Sequence, residues 1–205
     1  MDEIVQGSPE WFNVRLGKVT ASRVVDIVAT TKSGYSTSRA NYMAQLVIER
    51  LTGKVEETYT NAAMQWGVDN EPLARAEYEI REGVMVNQVG FVLHPSIEYS
   101  GASPDGLVGD KGLIEIKCPN SATHIETLLT FEIPKKYMCQ MYWQMACTGR
   151  EWCDFVSFDP RMPEHLKLCV IRVPFSANYV SELESEVKKF LAEVDAKMEK
   201  LINLT

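Results

Sequence analysis

The run from Ser103 to Lys117, Ser-Pro-Asp-Gly-Leu-Val-Gly-Asp-Lys-Gly-Leu-Ile-Glu-Ile-Lys, constrains the fold more than any other part of the chain. Its centre, Gly109-Asp110-Lys111-Gly112, predicts a hairpin turn, because two glycines with an intervening Asp supply positive φ cheaply. The apolar run that follows predicts a strand, in which side chains two apart share a face. Glu115 and Lys117 then point one way with Leu113, and Ile114 and Ile116 point the other. Such a hairpin folds Asp105 back toward the Glu115 end of the neighbouring strand, so that two carboxylates and an ammonium converge. By spacing alone, the same residues also read as a turn Asp with a Glu and a Lys on a solvated face.

Oxygen ligands of this kind suit a hard divalent ion such as Mg²⁺, which is held by one or two carboxylates together with waters and substrate phosphate oxygens. The lysine beside them can orient the attacking water or help deprotonate it. Together these groups are equipped to hydrolyse a phosphodiester.

No linker, repeat or Pro- or Ser-rich stretch interrupts the 205 residues, and the chain reads as one domain over 1–205. With 45% hydrophobic and 24% charged residues, it can bury a sizeable core. The start, Met-Asp-Glu-Ile-Val-Gln, lacks the basic and apolar runs of a signal peptide, and no segment reaches the roughly 18 apolar residues that span a bilayer. A cytoplasmic protein with no membrane association is expected. The 5 cysteines are odd in number and contain no Cys-x-x-Cys pair, which predicts reduced core residues. His94, His124 and His165 have no partner at metal-ligand spacing and receive no role. A net charge of −7 counts against nucleic-acid binding, where affinity comes mainly from Lys and Arg. An acidic body can still carry a basic channel, for which Arg15, Lys18, Arg23, Lys32, Arg39, Lys135 and Lys136 are candidates.

In chain order, Ser8-Pro9-Glu10-Trp11 predicts an N-cap with Pro at the first helical position. Thr20 or Ser22 can cap a second helix, and such a helix start beside Arg15 serves equally as plain capping or as a phosphate site. Residues 29–38 are polar and read as a mobile loop. Arg39 to Leu51 carries a helical stripe that ends at Gly53. A further helix is expected from Val68 to Arg81, with Glu71 in its first turn, where a carboxylate favours the dipole. Short β-like runs follow from Val84 to Lys117, then a polar segment around Asn120 and a helix opening at Ile133 to Tyr137. On that helix Gln140, Trp143, Gln144 and Cys147 share a stripe. Two more strands, Cys153 to Phe158 and Leu168 to Val173, precede a closing helix from about Asn178 to Leu204. Its apolar stripe suits packing within the chain or between subunits.

The segments Ser-Pro-Asp-Gly and Leu-Ile-Glu-Ile-Lys-Cys-Pro together resemble the PD-(D/E)xK nuclease signature, specifically its phage lambda-type exonuclease branch, the YqaJ-like viral recombinases. Further resemblances run from Glu10-Trp11 through Asp159-Pro160-Arg161-Met162. The family resemblance implies an α/β fold with a mixed central sheet flanked by helices. It implies a Mg²⁺-dependent enzyme, with two metal ions and Mn²⁺ as a substitute, that removes nucleotides from the 5′-ended strand of linear double-stranded DNA. Such enzymes are similar to homotrimeric rings that leave a 3′ single strand for an annealing protein.

Residue by residue, the resemblance assigns the metals to Asp105, Glu115, the Ile116 carbonyl and Glu71, and the attacking water to Lys117. Gln140, in Tyr137-x-x-Gln140, joins the site. Arg15, Ser22 and Ser103 would grip a terminal 5′-phosphate. Met64 stands where the family has an apolar wedge between strands, and it reads equally well as a core residue. Relatives commonly carry a second Gln two residues beyond the first, where this chain has Tyr142. The rival readings are a PD-(D/E)xK endonuclease and a non-catalytic DNA-end-binding protein; the intact Asp105, Glu115 and Lys117 argue against the second.

Overall fold

The computed structural model describes residues 4–55 and 61–204. Residues 1–3, part of the start read above for a leader, lie outside them. Ser8 caps helix α1 (Pro9–Arg15) as expected, its Oγ accepting the Trp11 amide at 3.2 Å with Pro9 in the first turn. Strand β1 (Val19–Thr20) leads through a 3₁₀ turn, Ala21–Arg23, into α2 (Val24–Val28). Neither Thr20 nor Ser22 caps: Thr20 makes no side-chain cap bond, and Ser22 sits inside the turn.

The segment expected to be a mobile loop is instead a hairpin, β2 (Thr30–Thr31) with β3 (Gly34–Tyr35), leading into α3 (Thr37–Thr52). Tyr35 ties it down by donating to Glu186 at 2.6 Å and accepting from Lys189 at 2.8 Å. Helix α4 (Ala62–Glu82) starts six residues before the expected Val68, because Asn61 accepts the Met64 amide at 2.9 Å and caps it there. Glu71 therefore lies in mid-helix, where a dipole argument has no force.

Strands β4 (Val86–Asn87), β5 (Val92–Leu93), β6 (Ser100–Ala102), β7 (Gly106–Val108) and β8 (Gly112–Lys117) follow. Helix α5 (Ser121–Thr130) occupies the stretch read as a polar connector, its Asn120 cap accepting the Thr123 amide at 2.9 Å. Then come α6 (Lys135–Thr148), β9 (Trp152–Phe158), β10 (Leu168–Pro174) and α7 (Ala177–Ile202).

The main sheet has the order β10-β9-β8-β7-β4, with β8 parallel to β9 and the other pairs antiparallel. A smaller sheet has the order β1-β6-β5. The β7–β8 turn forms where expected: Gly109 takes φ +51°, and a side chain at Gly112 would run into the Trp152 ring. Pairing of Gly106 with Ile114 puts Asp105 beside Glu115.

Alternation along β8 sends Leu113 into a core built with α2, α3, α6 and α7, including Ile27, Tyr42, Trp143 and Phe190. Ile114 and Ile116 enter a second cluster under α4 with Ala74, Tyr78, Val156 and Phe158. The α7 stripe is used inside the chain: Val180, Leu183, Val187, Phe190 and Val194 are buried, each worth about 2 kcal/mol. Its last member differs, Leu201 being 41% exposed. Among the described residues no helix is long and apolar enough to cross a membrane.

Candidate active site

Burial of both sheet faces turns the β8 acid from a surface group into an interior one. Glu115 has no exposed surface, which excludes the solvated-hairpin reading. Among the described residues its carboxylate is met by side chains only: Gln140 Nε2 donates to Oε1 at 2.7 Å, Gln144 Nε2 donates to Oε2 at 2.6 Å, and the Lys117 ammonium pairs with Oε1. Asp105, half-buried on the adjoining turn, accepts the Ile116 amide through Oδ2 at 2.7 Å. The hairpin thus brings Asp105, Glu115 and Lys117 together as read from the sequence.

The electrostatics of this cluster are unbalanced. Burial first, then the Glu115 charge, pushes the Asp105 carboxyl well above its usual range, with Glu71 adding to the effect and Lys117 and the Ile116 amide opposing it. Burial works against the Lys117 charge, yet Glu115 and Asp105 outweigh it and raise its pKa. Two acids sharing one ammonium in a half-closed space is an arrangement that a cation relieves. The donors are all hard oxygens, which fits Mg²⁺ or Mn²⁺ and not a soft metal.

Glu71 reaches this neighbourhood but is turned to Arg75, whose Nη2 donates to it at 2.5 Å. Among the described residues no three acidic, His or Cys side chains form a ligand set by themselves. Such a site would be completed by backbone, water and substrate oxygens. Cys118, next to Lys117, stays protonated, its thiol pushed up to about 12 by burial and then by Glu71.

A second group adjoins the first. Trp11 Nε1 donates to Ser103 Oγ at 2.9 Å, and the Arg15 guanidinium lies over the Trp11 ring at 3.7 Å. Burial lowers the Arg15 pKa to about 10, against the pull of Tyr42 and Glu49, so it remains charged at neutral pH. Its Nε is buried and has no partner among the described residues. A charged, half-buried guanidinium stacked on the ring that bonds Ser103 is suited to an incoming phosphate.

Ser22 is exposed and is not joined to Arg15 or Ser103 by any hydrogen bond among the described residues. Met64 is 50% exposed in the first turn of α4, which rules out its reading as core. Of the candidate channel cations, Arg39 is buried against Glu193 at 2.5 Å and belongs to the α3–α7 packing. Lys32, Lys135 and Lys136 are exposed.

Sequence reasoning put Gln144 on the right stripe of α6 but missed its bond to Glu115; the available signal was its i+4 spacing from Gln140. Tyr142, at the place of the family's second Gln, faces α7 instead and stacks on Tyr179 with ring centroids 4.4 Å apart.

A family profile described as the YqaJ-like viral recombinase domain matches residues 10–151. The alkaline exonuclease LHK-Exo from Laribacter hongkongensis, in a crystal structure with dAMP, is 54% identical with a TM-score of 0.89, over 95% of this chain and 96% of that one. A second crystal structure of that exonuclease is 53% identical, TM-score 0.89, over 96% and 97%. A phage-related exonuclease from Haemophilus somnus 129PT, 16% identical with a TM-score of 0.67 over 94% and 98%, shares the fold. Among curated protein sequences none gives a significant match. The fold is the mixed α/β, PD-(D/E)xK-like fold of phage exonucleases. The matching profile spans well over half of the residues, and the chain belongs to the YqaJ-like viral recombinase family, in its lambda-exonuclease type.

Proposed function

We propose that this nuclease is a Mg²⁺-dependent exonuclease that degrades the 5′-ended strand of linear double-stranded DNA and leaves a 3′ single strand for recombination by annealing. The observation that carries the reading is the adjacency of the acid pair and the Arg15 group. Ser103 and Asp105 are two residues apart, so their Cα atoms lie within about 7 Å. A terminal phosphate held by Arg15 and Ser103, with Ser22 at the rim, would bring the first phosphodiester to Asp105 and Glu115. The dAMP in the LHK-Exo crystal has the size of one nucleotide taken from a chain end, which supports this reading.

In roles, Asp105 and Glu115, with the Ile116 carbonyl and Glu71, would hold two Mg²⁺ ions, for which Mn²⁺ can substitute. When bound, such ions supply the positive charge that stabilises the attacking and leaving oxygens of an in-line displacement. Lys117 would orient the attacking water, and Gln140 would keep Glu115 in place. Met64, exposed at the start of α4, would part the strands at the duplex end. Lys135 and Lys136 would face backbone phosphates. A homotrimeric ring in the cytoplasm, working with a single-strand annealing protein, rests on the family alone.

The test uses linear duplexes labelled separately at their 5′ and 3′ ends, with Mg²⁺, beside covalently closed circles. Early release of the 5′ label as a mononucleotide is expected; release of the 3′ label first would reverse the polarity, and cutting of circles would make the protein an endonuclease. Wild type should act faster on 5′-phosphate than on 5′-hydroxyl ends, and Arg15→Ala should erase most of that preference while keeping metal-dependent cleavage. Equal wild-type rates on the two ends would dismiss the phosphate pocket.

A further inference from the structure

Gln140 and Gln144 lie one turn apart on α6, and their amides take different oxygens of the same carboxylate. The two oxygens are not equivalent. The partners of Glu115 Oε1 are Gln140, which is half-buried, and Lys117, whose side chain is 27% exposed. The partner of Oε2 is Gln144, which has no exposed surface. Its orientation is settled chemically, because a carboxylate can be met only by the amide nitrogen.

The fold also carries a cost here: the Gln144 carbonyl oxygen is buried without a partner among the described residues. An apolar side chain would fill the same space between α6 and the sheet without that cost. What the amide adds is the bond to Glu115. Asp105 is held in the same manner, one of its oxygens being occupied by the Ile116 amide. Each acid therefore has an oxygen pinned from inside the protein, while Glu115 Oε1 is held only by the half-buried Gln140 and the partly exposed Lys117, which face the site.

We propose that Gln144 is a positioning residue that keeps Glu115 Oε2 inside the protein and turns only Oε1 to the site, so that the carboxylate serves as a one-oxygen donor and the site favours a small octahedral ion over calcium. The proposal rests on the metal-dependent reading above. Mg²⁺ requires near-octahedral geometry, whereas Ca²⁺ takes six to eight ligands and accepts both oxygens of a carboxylate. Releasing Oε2 widens the choice toward calcium.

Calorimetric titration of metal-stripped protein with Mg²⁺, Mn²⁺ and Ca²⁺ tests this in wild type, Gln144→Met and Gln144→Asn. Methionine keeps the volume without the donor, and the Asn amide is too short to reach Glu115. The Ca²⁺-to-Mg²⁺ affinity ratio should rise about tenfold in both variants, a shift of the size that partners of metal ligands produce. A loss of packing alone would lower the melting temperature and leave the ratio unmoved. A ratio within about twofold of wild type in either folded variant overturns the proposal. Wild-type protein that binds none of the three ions would instead sink the metal-dependent reading itself. If neither variant folds, the infrared carboxylate bands of the wild type decide: single-oxygen patterns with Mg²⁺ are expected, and a two-oxygen pattern refutes the idea.

Discussion

Glu115 on β8 and Asp154 on β9 are near neighbours in one sheet, 0% and 1% exposed, and they face opposite sides of it. Asp154 looks toward α4. Arg172 grips it with two bonds, Nε to Oδ1 at 2.7 Å and Nη2 to Oδ2 at 2.8 Å, and the Tyr78 hydroxyl donates at 2.7 Å. Its charge is matched one to one, and burial first, then the bond to Asp154, keeps the Tyr78 phenol in its protonated form. Glu115 looks toward α6, has two neutral amides and a lysine, and shares that lysine with a second acid. The difference separates two uses of a buried carboxylate. A closed charge account makes a structural joint, and an open one makes a place for a cation.

The largest effect that would break this contrast is at Asp105. Asp105→Ala should take hydrolysis of labelled linear duplex to background, while the melting temperature in chelator stays the same or rises, because a like-charge neighbour of Glu115 has gone. Normal cleavage by the folded variant would remove the site from that face of the sheet.

Next comes the closed pair. Arg172→Met should cost about 3 kcal/mol in urea unfolding, since it leaves the Asp154 charge buried with only a hydroxyl partner. Cleavage per folded molecule should be unchanged. A fall in rate at unchanged stability would make Asp154 part of the chemistry and cancel the distinction.

A third acid sharpens it. Asp159, fully buried after β9, opposes its own burial with bonds from Arg161 and Ser121 that bring its pKa from 3.8 down to about 2. A depressed folded pKa gives stability that is complete above the unfolded value and lost as the pH falls through the folded one. Asp159→Asn should therefore be about 2 kcal/mol less stable at neutral pH. The gap should close between pH 4 and pH 2, which acid unfolding of both proteins would record. A constant gap at all pH values would mean that the loss is one of packing.

What was legible in the chain was what repeats over a few residues. The face alternation of Leu113 to Lys117 and the α7 stripe follow from periods of two and of about 3.6, and the Ser8 cap from its neighbours; the structure keeps the alternation, the cap and the stripe as far as Val194. What was not legible depended on distant partners. Arg39 reads as a surface cation until Glu193, on another helix, closes over it. Gln144 and Trp143 share a stripe in sequence, yet only the position of β8 shows which of them meets a carboxylate. Helix α5 was missed because its one strong local mark, the Asn120 cap, sits in a polar stretch that resembles a connector. The hairpin at 30–35 looked loose because the hydroxyl that fastens it bonds to residues about 150 positions later.

The bond from the Ile116 amide to Asp105 has a consequence for how this protein can change. One peptide unit serves two masters: its side chain packs under α4, and its N–H holds an acid on the other face. The spacing between the acids is thus gauged by the main chain, and a sliding of β8 against β7 would spoil it even with every reactive group retained. A residue added to or removed from the Gly109–Gly112 turn would shift that register and part the Asp105 carboxylate from its amide. Selection for sturdier packing beneath α4 is answerable, through that peptide, to the chemistry above it.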